Sequence, residues 1–594
     1  MGWVDTVNVT LVRSLDDAYD LKRWLGERRE GWVGLDTETT GLDTQRDTVR
    51  LVQVGDTSRG WAIPAEDWRG LVRELLTEYQ GEWVGWNSKY DEHMLLRYCG
   101  AIPKRYHDGQ ILAHLAAPLE RTALKEVSKR LVAPETATLS TMLDEQMSRN
   151  GWDWATVPID LPAYWAYGAL DPILTAACAE KLRAEAEAQG QVALYELELQ
   201  AAHVCRDMES RGLRVDVQYA EEQCRIIRAE IGEISAWAFA TYGAKLGSRS
   251  QVADLLIAEG VKLSVKTPSG AYSLAREHIS DIEHPLAKAF IRKNLLQVLA
   301  NNFFSNVILY QREGLLHPDI KTLAAKTGRM SVSRPSLQNQ PRSKRVRDVF
   351  IPRDDHQLVA ADFRQIEMRL LAHFSQEPQL INFYHQGRDL PTEIARAVFH
   401  ISGSVPKPLR YQVKGALYAL GYGAGPAKIA KVLGLPETEG HSFLDRLYTN
   451  YPRLRIFFDT IIDGSVAVAD EGMPWVRSPR WRRRYFVPTM KKAYQLTNYL
   501  IQGEAGIVMK DRLVALHAAG LGEYMVLPVH DEVLCDVPVD TVDDVRATLD
   551  EVMADRSHYA VPLEVEVDEP LTRWGDKYEA FDAEEGEHAP DSAK

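Results

Sequence analysis

Leu358-Val359-Ala360-Ala361-Asp362-Phe363-Arg364-Gln365-Ile366-Glu367 is the stretch that decides the reading of this chain. Its apolar run predicts a buried strand, and Asp362 puts a carboxylate where that strand ends. A second acid stands in Met525-Val526-Leu527-Pro528-Val529-His530-Asp531-Glu532-Val533-Leu534, which reads as a hairpin with acids at its tip. An unpaired acid among valines is costly, so more than a structural turn is expected there. Two carboxylates able to share a pair of metal ions fit phosphoryl transfer, which needs in-line geometry and charge neutralisation more than covalent chemistry. Between them Arg410, Lys414, Tyr418 and Tyr422 recur at four-residue steps after Pro406 and Pro408. That spacing lines one helix face with two cations and two rings. An amphipathic surface helix would show similar spacing, but the small apolar residues between suit a face that lines a ligand pocket.

The N-terminal part carries a second set of acids. Asp36-Thr37-Glu38-Thr39-Thr40-Gly41-Leu42 places two carboxylates on one face of a strand end. Asp91 follows at a helix start in Asn87-Ser88-Lys89-Tyr90-Asp91, and Asp171 ends Tyr167-Gly168-Ala169-Leu170-Asp171. Four acids near one point raise one another's pKa, a conflict that two Mg²⁺ ions would resolve. Each element alone is commonplace; the ordered set is specific.

Composition sets the frame. A chain of 594 residues with 45% hydrophobic and 26% charged residues predicts three to five soluble units. No apolar stretch is long enough for a membrane span, and no secretory signal opens the chain. Five scattered cysteines without a CxxC fit a reducing, cytoplasmic setting. The net charge of −14 argues superficially against nucleic acid, but its distribution matters more. Acids gather after Tyr578, in what reads as a disordered tail. Cations gather at Arg342, Lys344, Arg345 and Arg347, and again at Arg477, Arg480, Arg482, Arg483 and Arg484 with Trp475, Trp481 and Tyr485 interleaved. Either run alone reads as a solvated face. Two runs flanking a carboxylate pair read better as phosphate-backbone contacts, Arg482 and Arg483 among them.

Residues 32–36, 48–54 and 67–79 alternate as strand, partner strand and helix, an α/β unit. Long helices follow, broken by a Gly/Ser/Lys-rich tip near 243–272, before strands return around Leu358 and Val526–Val537. These segments resemble two families. The N-terminal acids resemble the DEDD superfamily of 3′–5′ exonucleases, an RNase H-like fold, in the branch with tyrosine before the last aspartate. On that resemblance Asp36, Glu38, Asp91 and Asp171 hold the metals and Tyr167 orients the attacking water. The remainder resembles the family A DNA polymerases. Thr327-Gly328-Arg329-Met330-Ser331 with Leu337-Gln338-Asn339 looks like the primer-binding segment, and Asp362 to Arg369 like the first palm motif. Arg410 to Gly423 looks like the fingers helix, Asn498 to Gly503 like NxxxQG, and His530-Asp531-Glu532 like the second palm motif.

The resemblance implies roles by position. Asp362 and Asp531 would hold two Mg²⁺ ions, with Mn²⁺ as substitute. Arg410 and Lys414 would grip the triphosphate, with Lys414 as proton donor to pyrophosphate. Tyr418 would stack on the nucleotide, Tyr422 would sit by the template base, and Gln365 and Glu367 would face the incoming dNTP, Glu367 as gate under the sugar. Arg329, Asn339, Asn498, Gln502 and His530 would contact DNA. Three departures stand out: Phe363-Arg364 for Tyr-Ser, Ala419 for a glycine, and Pro391 for a histidine that touches the triphosphate.

The implied fold is a multidomain α/β and α+β chain. It comprises an exonuclease domain at 1–192, thumb at 193–316, palm at 317–373 and 503–578, fingers at 374–502, and the acidic tail at 579–594. The exonuclease strand begins near residue 32, which leaves no room for a 5′-nuclease domain and looks like a phage replicative polymerase or an organism that keeps that nuclease separately. The expected partners are primer–template DNA and dNTPs, for a monomer that extends primers and edits its errors. A single-subunit RNA polymerase is the alternative, which Glu367 and the exonuclease acids oppose. A catalytically silent nucleic-acid-binding scaffold is another, opposed by intact metal acids at both sites.

Overall fold

The computed structural model describes residues 3–28, 30–469 and 472–578. The expected acidic tail at 579–594 lies outside the described residues.

In the N-terminal unit, β1 (Asn8–Leu11), β2 (Trp32–Thr39), β3 (Val49–Gly55), β4 (Arg59–Pro64), β5 (Glu82–Gly85) and β6 (Tyr106–Asp108) form one sheet. Their order is β1-β4-β3-β2-β5-β6. β2 pairs antiparallel with β3 and parallel with β5, which makes it the central strand that feeds acids to the sheet's end. The expected helix at 67–79 is present as Ala65–Glu78. β1 has no counterpart in the sequence reading, because an edge strand of four residues with polar Asn8 and Thr10 carries little alternation.

Four helices of this unit and its junction matter for the site: α1 (Ser88–Cys99), α2 (Gly109–Ala116), α3 (Leu124–Leu131) and α4 (Pro162–Ala188). α4 lies almost in backbone contact with the sheet. A Cβ on Gly34 would stand 2.0 Å from the Pro172 carbonyl oxygen, and one on Gly60 2.0 Å from that of Ala169. Glycine is required at both places for close approach rather than for a special φ. Pro172 also lacks the N–H that would bond the Gly168 carbonyl, so the helix is weakened where it presses on β2.

α5 (Val192–Arg211) begins where the exonuclease boundary was expected, after Gly190. α6 (Val217–Tyr242) follows. The Gly/Ser/Lys-rich stretch at 243–272, read as a break between helices, holds a helix of its own, α7 (Arg249–Ala258), whose Val252 and Leu256 are wholly buried. Its Ser248 N-cap accepts from the Gln251 amide, a local start signal hidden by the polar composition around it.

The C-terminal sheet is antiparallel and assembled from distant segments. β7 (His356–Phe363) is followed by α8 (Ile366–Ser375), α9 (Leu390–Phe399) and α10 (Lys407–Gly421), then by the hairpin β8 (Trp475–Arg477) and β9 (Arg484–Phe486). α11 (Gln495–Ala518) leads into β10 (Met525–Val529), β11 (Glu532–Pro538) and β12 (Val565–Val567). The order is β10-β11-β7-β12, with Asp362 opposite Glu532. Leu358, Val359, Ala360 and Ala361 are fully buried, as the apolar run predicts. The expected boundary at 502/503 cuts α11, and that at 373/374 cuts α8, because both helices are continuous across them.

Gly34→Ala tests the contact between helix and sheet. Overpacking a tight core position costs about 1–3 kcal/mol. The variant should unfold its N-terminal unit at lower temperature, seen as earlier proteolysis of that unit, whereas Gly232→Ala, in open space, should not.

Candidate active sites

β2 alternates so that Asp36 and Glu38 share a face while Thr37 and Thr39 point away and are buried. The seat provided by Gly34 and Gly60 brings Asp171 of α4 over the same face. Carboxylate oxygens of Asp36, Glu38 and Asp171 lie within 4.8 Å of one another. Asp91, expected as the fourth ligand, stands outside that group: its Oδ1 accepts from the Thr37 hydroxyl at 2.6 Å. It still senses Asp36, and burial first, then Asp36, raise its pKa well above the carboxylate range. Burial, then Asp171, push Asp36 up to about 8. Burial, then Asp36, push Glu38 up as well. Tyr167 sits one helical turn before Asp171; that carboxylate first, and burial second, keep its phenol protonated. Lys125 of α3, which no motif marked, pairs with Asp171.

The second acid pair sits where β7 meets the β10–β11 turn. The Phe363 amide donates to the Asp531 carbonyl at 3.1 Å, which fixes the turn against β7. His530 takes φ of 58° there, and Gln365 takes 54° as α8 starts. Positive φ is uncommon for such residues and marks a backbone held by its surroundings. Asp362 Oδ1 is buried without a hydrogen-bond partner among the described residues, and so is Gln365 Oε1. Burial first, then Asp531, raise Asp362 to about 8. Burial raises Asp531 too, with Arg329 opposing. Glu532 is not free to join them: it pairs with Lys577 and accepts from the Trp574 indole.

α10 brings its face to these acids. Lys414 lies 5.9 Å from the Tyr418 ring centroid. Burial first, then Arg410 and Arg342, lower its pKa. Three cations thus crowd one spot, which an arriving polyanion would relieve. Arg410 is gripped by Asp389, Nε and Nη2 donating at 2.8 and 2.7 Å. Asp389 also caps α9, and the neighbouring Pro391 is buried in that helix. Tyr418 faces Glu367 and Asp531, with its phenol pushed up by burial first and those acids next. Glu367 is ion-paired with Arg329. Gln502 of α11 donates to the Tyr422 phenol at 2.7 Å. Asn498 is half-buried on the same helix, and Asn339 is exposed, donating to Ser336. Burial, then Arg329, hold His530 below the usual histidine pKa.

The arginine run divides. Arg482 is exposed in the hairpin turn. Arg483, expected on the DNA face, is instead 2% exposed, with Nη1 3.4 Å from Glu198 Oε1. Its guanidinium fills the space a Cβ on Gly328 would need. Burial removes it from a phosphate backbone. From the turn into β9 successive side chains alternate, Arg482 outward and Arg483 inward, which composition alone does not reveal.

Comparison with known proteins agrees with this division of the chain. Residues 12–187 match the description 3′-5′ exonuclease, and residues 217–576 match DNA polymerase family A. The chain is 30% identical over 397 residues to the thermostable DNA polymerase I of Thermus aquaticus, covering 63% of this chain and 47% of that one. It therefore spans about half the length of such relatives. It is 26% identical to DNA polymerase I of Chloroflexus aurantiacus, over 94% of this chain and 63% of the other. It is 25% identical to the DNA polymerase of Mycobacterium phage D29, over 90% and 92%. It shares the fold of the solved POL domain of Pol1 from M. smegmatis in complex with DNA primer-template and dNTP. There the TM-score is 0.79 at 21% identity, covering 96% of this chain and 99% of that one. With one acid cluster inside each matched segment, the chain belongs to DNA polymerase family A and carries a 3′–5′ exonuclease domain ahead of its polymerase domain.

Proposed function

We propose that the chain extends a DNA primer on a DNA template with dNTPs and removes mispaired 3′ ends. It would act as a monomer in the cytoplasm, with a replicative role. The observation that carries this reading is the pairing of Asp362 and Asp531 with a helix face of cations and rings, in a chain that holds a separate acid cluster. Among the described residues no helix is long and apolar enough to cross a membrane.

The donor sets fit divalent cations. Asp36, Glu38 and Asp171 converge oxygens that repel one another, and Asp362 offers a buried oxygen with no hydrogen-bond partner among the described residues. Hard oxygen donors of this kind suit Mg²⁺ or Mn²⁺. Cations held there would supply charge neutralisation and Lewis acidity for phosphoryl transfer.

The chain's own groups do the rest. Lys414 and Arg410 draw in the triphosphate, and Asp389 keeps Arg410 aimed where Pro391 offers no histidine. Tyr418 stacks on the base and faces the sugar. Glu367, held by Arg329, excludes a 2′-hydroxyl by clash, a repulsive device. Gln365 lies beside it. Gln502, Asn498, Arg329, Asn339 and His530 line the path of the duplex, with Arg482 at the hairpin turn. In the exonuclease site Tyr167 donates its phenolic proton to orient a water, and Asp91 steadies the strand end through Thr37.

The two activities should separate by mutation. Asp531→Asn should reduce primer extension by several orders of magnitude while 3′ degradation of single-stranded DNA persists. Asp36→Ala with Glu38→Ala should do the reverse. Near-normal extension by the first variant would refute the polymerase assignment.

Tyr418→Phe should keep dNTP extension but discriminate more strongly against dideoxynucleotides. The lost phenol contact near the 3′ position, made toward a charged phosphate, is worth about 1.5–3 kcal/mol, or roughly ten- to more than a hundredfold. The ratio of kcat/KM values in an exonuclease-dead background measures this.

Stability without metal should fall as pH rises. Asp36 and Asp362 hold their protons to about 8 in the folded chain. Unfolded aspartate releases its proton near pH ~4, so folding gains from these groups at low pH and loses that gain through about pH 8. In chelator, the calorimetric Tm should drop from pH 6 to pH 9. Added Mg²⁺ should raise it more at pH 9 than at pH 6, because no proton then competes. An Mg²⁺ increment that does not change with pH would contradict this.

A further inference from the structure

Lys125 stands inside the N-terminal acid cluster without belonging to any motif of that site. It is the second residue of α3, whose Val127 is fully buried and whose Ser128 hydroxyl lies 2.9 Å from that of Thr136. The helix body is therefore fixed while its N-terminal end projects at α4. There the Lys125 ammonium pairs with Asp171 Oδ1. It also lies 4.5 Å from the Tyr167 ring centroid, within cation–π range. Its positive field reaches Asp36 and Glu38 and opposes the repulsion among the acids. The Lys125 side chain keeps 23% of its surface in solvent, against 11% for Asp171. The acid is fixed in the site, and the cation sits at its mouth on a flexible stem.

An ammonium and a divalent cation compete for one carboxylate, because two cations a few ångströms apart repel each other. Resting on the exonuclease reading above, we propose that Lys125 is the resident counter-ion of this cluster and is displaced from Asp171 when a divalent cation binds. At Asp171 the exchange breaks one ammonium–carboxylate pair and forms one cation–carboxylate contact. The freed ammonium stays beside Tyr167, on the side where the phosphate of a 3′ end would lie. Lys125 is in this sense a positioning residue: it sets how tightly the site takes its metal and offsets part of the charge of the empty cluster.

Lysine is suited to this by its chemistry. It is a compact charge on four rotatable carbons with no planar fork to lock it onto a carboxylate. Arginine would form a bidentate pair and leave less readily.

Mn²⁺ binding, followed by loss of the free-ion electron paramagnetic resonance signal, tests the proposal. The full chain is used, with Asp362→Asn and Asp531→Asn so that the other acid pair does not report. Lys125→Met should bind Mn²⁺ about tenfold more tightly than this parent, which corresponds to ~1.4 kcal/mol. Lys125→Gln should do the same, which covers the case in which the methionine variant folds poorly. Lys125→Arg should bind no more tightly than the parent. In chelator at pH 9, Lys125→Met should melt below the parent, since the acids lose their counter-ion. Unchanged or weaker Mn²⁺ binding in both neutral variants would overturn the counter-ion role alone. If the parent's Mn²⁺ binding survives Asp36→Ala with Glu38→Ala, the metal reading of the cluster fails, and this proposal with it.

Discussion

Asp36 and Glu38 of β2 with Asp171 of α4, and Asp362 at the end of β7 with Asp531 in the β10–β11 turn, are half-buried or buried carboxylates crowded beside carboxylates. Burial and mutual repulsion both oppose their ionisation, and each sheet is arranged to hold them there regardless. In the N-terminal unit the holding is done by backbone contact: two glycines let α4 press onto β2 and β4, so Asp171 cannot retreat. In the C-terminal unit it is done by register: Asp362 ends β7 opposite Glu532, and the Asp531 carbonyl is tied to the next amide of the same strand. Remove either device and the acids would separate to relieve their repulsion.

The two units are joined by charge pairs. Glu198 of α5 accepts from Lys510 of α11 through both carboxylate oxygens at 2.7 Å, with both side chains fully buried. Arg483 approaches the same Glu198, and His114 of α2 faces it, its pKa lowered to about 3 by burial first and Arg483 next. Further along α5, Glu209 takes Lys89 and His93, and Arg206 takes Glu92, all from α1. Such buried pairs add little net stability against an apolar alternative, but breaking one leaves a charge stranded at a cost of about 3–5 kcal/mol. They fix which face of α5 meets which neighbour.

Much of this was legible in the sequence because the relevant information is local. Strand ends bearing acids, a helix with cations and rings at four-residue steps, and turn residues at His530 all follow from spacing along a few residues. The misses share a cause as well. Composition around 243–272 hid α7, whose buried face is set by the flanking segments from Ala238 to Phe290. The arginine run looked uniform, yet Arg483, just ahead of β9, turns inward while Arg482 in the turn faces outward. Lys125 carries no motif, and its role exists only where α3 meets α4. The grip of Asp389 on Arg410 joins two helices, so no spacing within either one announces it. The bond from the Thr37 hydroxyl to Asp91 joins β2 to α1 and has no signature in either motif.

α5 lies between the two segments matched to known families, claimed by neither, yet Lys510 deep in the polymerase half depends on its Glu198. The natural seam for dividing this molecule is therefore at Gly190, ahead of the helix, and not at residue 217 where the polymerase match begins. A polymerase fragment begun at the later point would carry a lysine ammonium and an arginine into its core without the carboxylate that balances them. A fragment begun at Gln191 would keep Glu198 with Lys510 and Arg483, and its unpaired charges would lie at the other end of α5, where Glu209 would lose Lys89 and His93 and Arg206 would lose Glu92.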